Sequence, residues 1–211
     1  MAKVHPLLLT SLDSSSSTTS SSSSSSSCTT SKKETFTIWM KSLLMQGNGC
    51  TVYNENGDIV YRIDNYDQKN SNEVYLMDLR GKVLFTILRK KLSVIQKWEG
   101  YKSNGSKSNG DKPLFQVRKG CKVFGKDLSC KIAVKSDNGQ AVHYRLEGLA
   151  GKSALRIIDS EGKLVAEAKR KQLSSGVVLG DDVLTMVMET QMDHSLIMAL
   201  VTVYGLIRRK I

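Results

Sequence analysis

The sequence predicts an all-β fold, barrel or sandwich, built from two duplicated halves with one apolar helix buried inside. The first observation is a repeat. Leu79–Leu92 (LRGKVLFTILRKKL) and Ser160–Leu173 (SEGKLVAEAKRKQL) align at one offset through Gly81/Gly162, Lys82/Lys163, Arg89/Arg170, Lys90/Lys171 and Leu92/Leu173. Upstream, Asn56-Gly57 followed by Val60–Asp64 is echoed by Asn138-Gly139 followed by Val142–Glu147, with one residue inserted. Two copies of this length point to a half-domain that closes on its duplicate, not to a solenoid. The second observation is a run of short apolar segments separated by Gly-containing turns, which is the pattern of all-β folds. The third is the last apolar segment, whose pattern is helical.

Taken in order, Phe36–Trp39, Cys50–Tyr53 and Ile59–Ile63 read as strands, with Asn56-Gly57 as a two-residue hairpin turn between the last two. After the polar stretch 65–72 come Glu73–Leu79, Lys82–Leu88 and a long strand over Leu92–Tyr101. The polar stretch Ser103–Asp111 joins the copies. The second copy offers Leu114–Arg118, Lys122–Phe124, Lys131–Lys135, Ala141–Glu147, Ala154–Asp159 and Lys163–Ala168, then Val177–Leu179 and Val183–Met188. Trp39 and Trp98 lie in alternating patterns and are expected in the core.

Asp193 is placed to cap a helix over residues 193–207, with Arg208-Arg209-Lys210 at the negative end of its dipole. Ser195–Ile207 is apolar on nearly every face, and such a helix is enclosed either by protein or by lipid. Its unbroken apolar stretch, Leu196–Ile207, falls well short of the roughly 20 residues that span a bilayer. No transmembrane span is therefore expected. Leu196, Ile197, Met198, Leu200, Val201, Val203 and Leu206 are the expected buried side chains, inside a barrel with enough strands to hold them.

The chain has 211 residues, 40% of them hydrophobic, and a net charge of +11. Residues 81–173 alone hold 21 basic and 8 acidic groups, so the whole excess lies mid-chain. Localised surplus of this kind suits an anionic partner, although lysines also blunt exposed strand edges. The four cysteines (28, 50, 121 and 130) form no CxxC pair and the three histidines are scattered, so neither zinc nor a disulfide framework is indicated. Cys50 and Cys130 hold matching places in the two copies and read as small core residues of a reduced intracellular protein. Residues 10–31 are almost entirely Ser and Thr and are expected to be disordered. The domain division is then a tail over 1–32 and one domain over 33–211, with halves at about 33–102 and 112–192.

Two basic triplets fall at equivalent places in the repeats: Arg89-Lys90-Lys91 and Lys169-Arg170-Lys171. They are the candidate contacts for anionic lipid, against the bland alternative of solvated, inherited strand ends. His143, His194 and the pair Asp181-Asp182 are read as structural, the aspartates as a turn. There is no phosphate-binding Gly loop, nucleophile elbow or paired metal-binding histidines, so no catalytic or metal residue is assigned, no cofactor is expected and the chain is not read as an enzyme.

As a set, Trp39–Leu43, Gly49–Tyr53, Val60–Tyr66, Leu76–Asp78, Gly81-Lys82, Arg89–Leu92, Trp98-Glu99 and Asp193 with Ile197–Val201 resemble the plant LURP-one-related family, over about residues 3–207. The resemblance implies a fold similar to the tubby C-terminal domain and the phospholipid scramblases: a closed barrel of roughly twelve strands enclosing the C-terminal helix. The LURP-one-related group is associated with plant defence, and tubby-like domains bind phosphoinositides at the membrane inner face, although no tubby lipid-site motif is matched residue by residue in this sequence. Tyr204-Gly205 departs from the acidic residue expected near the helix end.

Three partner classes remain open. The first is anionic membrane lipid, phosphoinositide included; the second is an unidentified protein in stress signalling, with no lipid bound. The third, nucleic acid, is disfavoured because the basic segment lacks the aromatic interleaving of single-strand readers. The expected location is cytoplasmic, peripheral at the plasma membrane or nuclear, with a Ser-rich, acid-poor start giving a plastid alternative.

Overall fold

The computed structural model describes residues 33–41, 48–65, 73–90, 96–103, 112–120, 128–136, 138–149 and 154–208. Within them lie twelve strands and one helix. The first six strands are β1 (Glu34–Trp39), β2 (Asn48–Tyr53), β3 (Ile59–Asn65), β4 (Glu73–Asp78), β5 (Val83–Lys90) and β6 (Lys97–Lys102). The second six are β7 (Phe115–Lys119), β8 (Leu128–Lys135), β9 (Ala141–Leu149), β10 (Ala154–Asp159), β11 (Leu164–Arg170) and β12 (Val183–Met188), followed by α1 (His194–Arg208).

Every strand pairs antiparallel with its sequence neighbours, and β1 pairs with β12 from Glu34↔Met188 to Trp39↔Val183, closing the barrel. Closure removes both sheet edges, so no row of backbone donors is left open. Twelve strands about 4.8 Å apart make a cylinder on the order of 20 Å across, wide enough for a helix with its side chains.

Alternate residues face inward: Phe36 and Ile38 on β1, Phe85 and Ile87 on β5, Phe115 and Val117 on β7, Leu184, Met186 and Met188 on β12. All pack around α1, whose side chains from Leu196 to Gly205 are buried on every side. Leu206 is the exception among the expected residues, being only partly buried near the end of the helix. The start is fixed by Asp193, whose Oδ1 accepts the Ser195 and Leu196 N–H groups at 2.9 and 3.2 Å. Tyr204 donates its hydroxyl to the Ala154 carbonyl at 3.2 Å, and its ring lies where a Cβ on Gly148 would come within 2.6 Å. The departure at 204 is thus accommodated by a glycine on the facing strand.

One turn is used five times among the described residues. Residues 54–58, 78–82, 136–140, 159–163 and 173–177 each close with the first N–H donating to the fifth carbonyl, and the fourth N–H to the first carbonyl. The fourth residue is always glycine with positive φ, from +80° to +88°. Asn54, Asp78 and Asp159 lock it by accepting two further N–H groups on one side-chain oxygen. Asn56-Gly57 is therefore not the centre of a two-residue turn; Gly57 closes a longer one. Register slips at Val52/Tyr53, Leu76/Met77 and Ile157/Ile158 fall where strands enter these turns, the latter two at matching places in the repeat.

Other expectations change as well. Val177–Leu179 is not a strand: it contributes one bridge, Gln172↔Val178, in the connection between β11 and β12. Trp98 is buried, but Trp39 has outward parity, with its indole N–H donated to Asp182 Oδ2 at 3.2 Å. The long sixth strand is described from Lys97; its expected start at Leu92, the strand Lys122–Phe124 and the Ser-rich tail lie outside the described residues.

Candidate functional site, a cationic rim and wall

Because neighbouring strands alternate in direction, odd-numbered strands all end at one rim, here called upper. α1 enters from the lower rim, where His194 meets Glu34 and Phe36 at the start of β1, and ends near Tyr204 against the end of β9. Arg208 therefore belongs to the upper rim.

The described members of the two predicted basic triplets reach the upper rim, at the ends of β5 and β11. Five strands separate them in either direction around the barrel, so they occupy opposite walls and do not form one cluster. Each member described has a partner. Arg89 lies over the Trp98 ring at 5.9 Å and Lys90 is 3.5 Å from Glu99. Lys169 bridges Glu167 at 2.7 Å, Arg170 bridges Asp181 at 3.1 Å, and Lys171 donates to Thr37 Oγ1 at 2.8 Å. Lys91 lies outside the described residues. Lys171 also lines a shallow outer groove of about 410 Å³ across β12, β1 and β2, with Thr35, Thr37, Thr185 and Tyr53.

The register creates a larger feature. Lys90 stands opposite Lys97, Lys97 opposite Arg118, Arg118 opposite Lys131, and Lys131 opposite Arg145. Five cations thus face outward in one cross-strand row over β5–β9, starting at the upper rim and sloping down the wall. Like charges directly opposite one another destabilise a sheet. Glu99 relieves the first two, at 3.5 Å from Lys90 and 2.7 Å from Lys97, and Glu147 relieves Arg145 at 2.8 Å. Arg118 and Lys131, at the centre, have no ion pair among the described residues.

A neighbouring row alternates in sign: Glu147, Arg156 and Glu167 lie opposite one another, with Arg156 Nε 2.7 Å from Glu167 Oε1. Among the described residues the barrel therefore carries one row of alternating sign and one row of cations.

Glu99 is the hub of the cationic row. Burial pushes its pKa up, but hydrogen bonds from Lys97 and Tyr101 and the charges of Lys97 and Lys90 outweigh burial and hold it below the usual glutamate value. Glu167 is lowered in the same way, burial being outweighed by Lys169 and Arg156. A depressed carboxylate stabilises the fold fully above its unfolded pKa, and the contribution is lost as pH falls through the folded value. The unfolding midpoint is thus expected to fall as the pH drops below about 4.5, the ordinary glutamate value. Glu99→Gln with Glu167→Gln should flatten that profile; an unchanged slope in thermal melts across the acid range would refute it.

Among the described residues, reactive groups are scarce. Burial raises the Cys50 thiol to about 12 and Cys130 to about 11, so neither is a nucleophile at neutral pH. No metal-holding cluster occurs among the described residues, and none of their helices is long and apolar enough to cross a membrane. His143 is exposed on β9, whereas His194 packs edge-on to Phe36 at 5.5 Å.

A profile of the LURP-one-related family matches residues 34–205, spanning all twelve strands and most of α1. The chain belongs to the LURP-one-related family. It is similar to Protein LURP-one-related 11 of Arabidopsis thaliana, 44% identical over 98% of this chain and 89% of that protein. It is also similar to Arabidopsis LURP-one-related 3, 45% identical over 85% of this chain and 82% of that protein. A solved crystal structure of an Arabidopsis thaliana protein shares the fold at a TM-score of 0.58 and 13% identity, covering 84% of this chain and 93% of that one. This LURP-one-related chain carries its cationic row where sequence alone could not assemble it, since Lys90 and Arg145 are 55 positions apart.

Proposed function

We propose that this LURP-one-related protein is a non-enzymatic regulatory module that binds anionic phospholipid headgroups, acting at the membrane inner face in plant defence. The resemblance to the tubby C-terminal fold and the family's defence association support the setting. The observation that carries the reading is the row Lys90–Lys97–Arg118–Lys131–Arg145, whose central pair, Arg118 and Lys131, has no ion pair among the described residues. An array of phosphates would supply the missing counter-charge. Each basic group near an anionic surface contributes about 1 kcal/mol.

Removing the two central charges, Arg118→Ala with Lys131→Ala, should weaken binding to vesicles of graded anionic content about thirtyfold. Lys82→Ala with Lys163→Ala, in the lower-rim turns, should change binding little. Both effects are read by co-sedimentation at physiological salt. Equal sedimentation of wild type with neutral and anionic vesicles would refute the reading.

A further inference from the structure

Between β11 and β12 the chain leaves the upper rim as a short hairpin. Leu179 N–H donates to Lys171 O at 2.9 Å, Leu173 N–H donates to Val177 O at 2.9 Å, and Gly176 N–H closes the tip on Leu173 O at 2.9 Å. Gln172 Nε2 adds a bond to Gly176 O at 3.0 Å. The hairpin is thus ordered by its own backbone, yet three of its four aliphatic side chains face solvent: Leu173, Val177 and Val178 are 44%, 56% and 50% exposed, while Leu179 is half-buried. The other exposed large apolar residues among those described, Leu79, Val142 and Leu164, occur singly at lower-rim turns and strand starts. Apolar side chains gathered at one tip signal a contact.

The base of the same hairpin holds more cations than anions, five basic groups against Glu167, Asp181 and Asp182, which pair with Lys169, Arg170 and Lys41. Lys169, Arg170 and Lys171 lead into it, Lys41 stands nearby on Asp182 at 3.1 Å, and Arg208 ends α1 at this rim. Lys169 and Lys41 are both 62% exposed. An aliphatic tip above a cationic base matches the layering of a membrane surface, where phosphates lie outside the acyl boundary and apolar groups reach about 5–10 Å inward. Three side chains are too few for the roughly 800 Å² per partner of a stable protein interface. Shallow insertion needs no such area, because each aliphatic group leaves water on its own account.

We propose that residues 171–179 form a membrane-dipping finger, and that the barrel docks by its upper rim with Leu173, Val177 and Val178 in the lipid interface. This rests on the lipid-binding reading above and adds to it the docking end and an apolar component.

The test compares three full-length proteins on phosphatidylserine–phosphatidylcholine vesicles: wild type, Val177→Ser with Val178→Ser, and Val177→Phe with Val178→Phe. These side chains are exposed, so the barrel should tolerate both changes. The expected result is binding at least about tenfold weaker for the serine variant and tighter for the phenylalanine variant. Equal binding by all three would overturn the finger while leaving lipid recognition by the cationic row intact, and would return the apolar tip to a protein contact. Failure of wild type to bind at all would remove the lipid reading and the finger together.

Discussion

Gly100→Ala is expected to cost about 3 kcal/mol of folding stability, the upper part of the range for overpacked cores. Gly100 faces into the barrel from β6, opposite Ile87 on β5 and Phe115 on β7. The Phe115 ring fills the space a side chain would take: a Cβ at position 100 would fall 2.0 Å from Cε1 and 2.1 Å from Cζ. Phe115 is fully buried and is held from the other side by Phe85, at a ring-centroid distance of 5.8 Å. In an interior packed to crystal-like density the ring has no free rotamer to move to. The change is read as a shift in the urea midpoint. Adding Phe115→Leu should recover part of the loss, and strictly additive effects in that pair would refute the steric account.

Leu200→Asp should leave the chain without a cooperative unfolding transition, and Leu200→Ala should cost about 3 kcal/mol. Leu200 is 1% exposed, and its helical neighbours Met198, Ala199, Val201 and Val203 are equally enclosed. No rotation of α1 could carry a carboxylate to water, and an unpaired buried charge is the most costly group a core can hold. Thr202 shows the polarity that is tolerated: its hydroxyl donates back to the Met198 carbonyl at 2.8 Å. A carboxylate has no donor to repeat that bond. Near-UV circular dichroism and urea melts of the two variants decide the matter; a cooperative, wild-type-like melt of the aspartate variant would contradict the central placement of α1.

The helix and most strands were legible because their signals are local. Asp193 followed by an all-round apolar run specifies a capped, enclosed helix without knowledge of its neighbours. Alternation gives strand parity, but it does not say which parity faces inward. For that reason alternation alone places Trp39 in the core, whereas the buried residue is its neighbour Ile38 and Trp39 is half-buried. Asn56-Gly57 misled for a related reason: a glycine with positive φ serves several turns, and the N–H bonds to Asn54 decide among them. The candidate site was the least legible part. The triplets at 89–91 and 169–171 are visible as runs, whereas the row from Lys90 to Arg145 exists only once five strands are paired in register. Regional charge pointed to that part of the chain without naming Arg118 or Lys131.

The order of elements along the chain has a consequence for biosynthesis. The seam of the barrel joins the first strand to the last, and the element that fills it comes after both. During vectorial synthesis, strands β1 to β12 leave the ribosome before anything exists to occupy their shared interior. Sequential hairpins can form as they emerge, since each pairs with its predecessor, but a filled cylinder must await α1. Until then the nascent polypeptide presents an apolar inner lining with no occupant, which is the kind of surface that chaperones hold. Folding yield should therefore depend on how quickly α1, the fifteen-residue helix that follows β12, is threaded into the barrel, more than on any single hairpin.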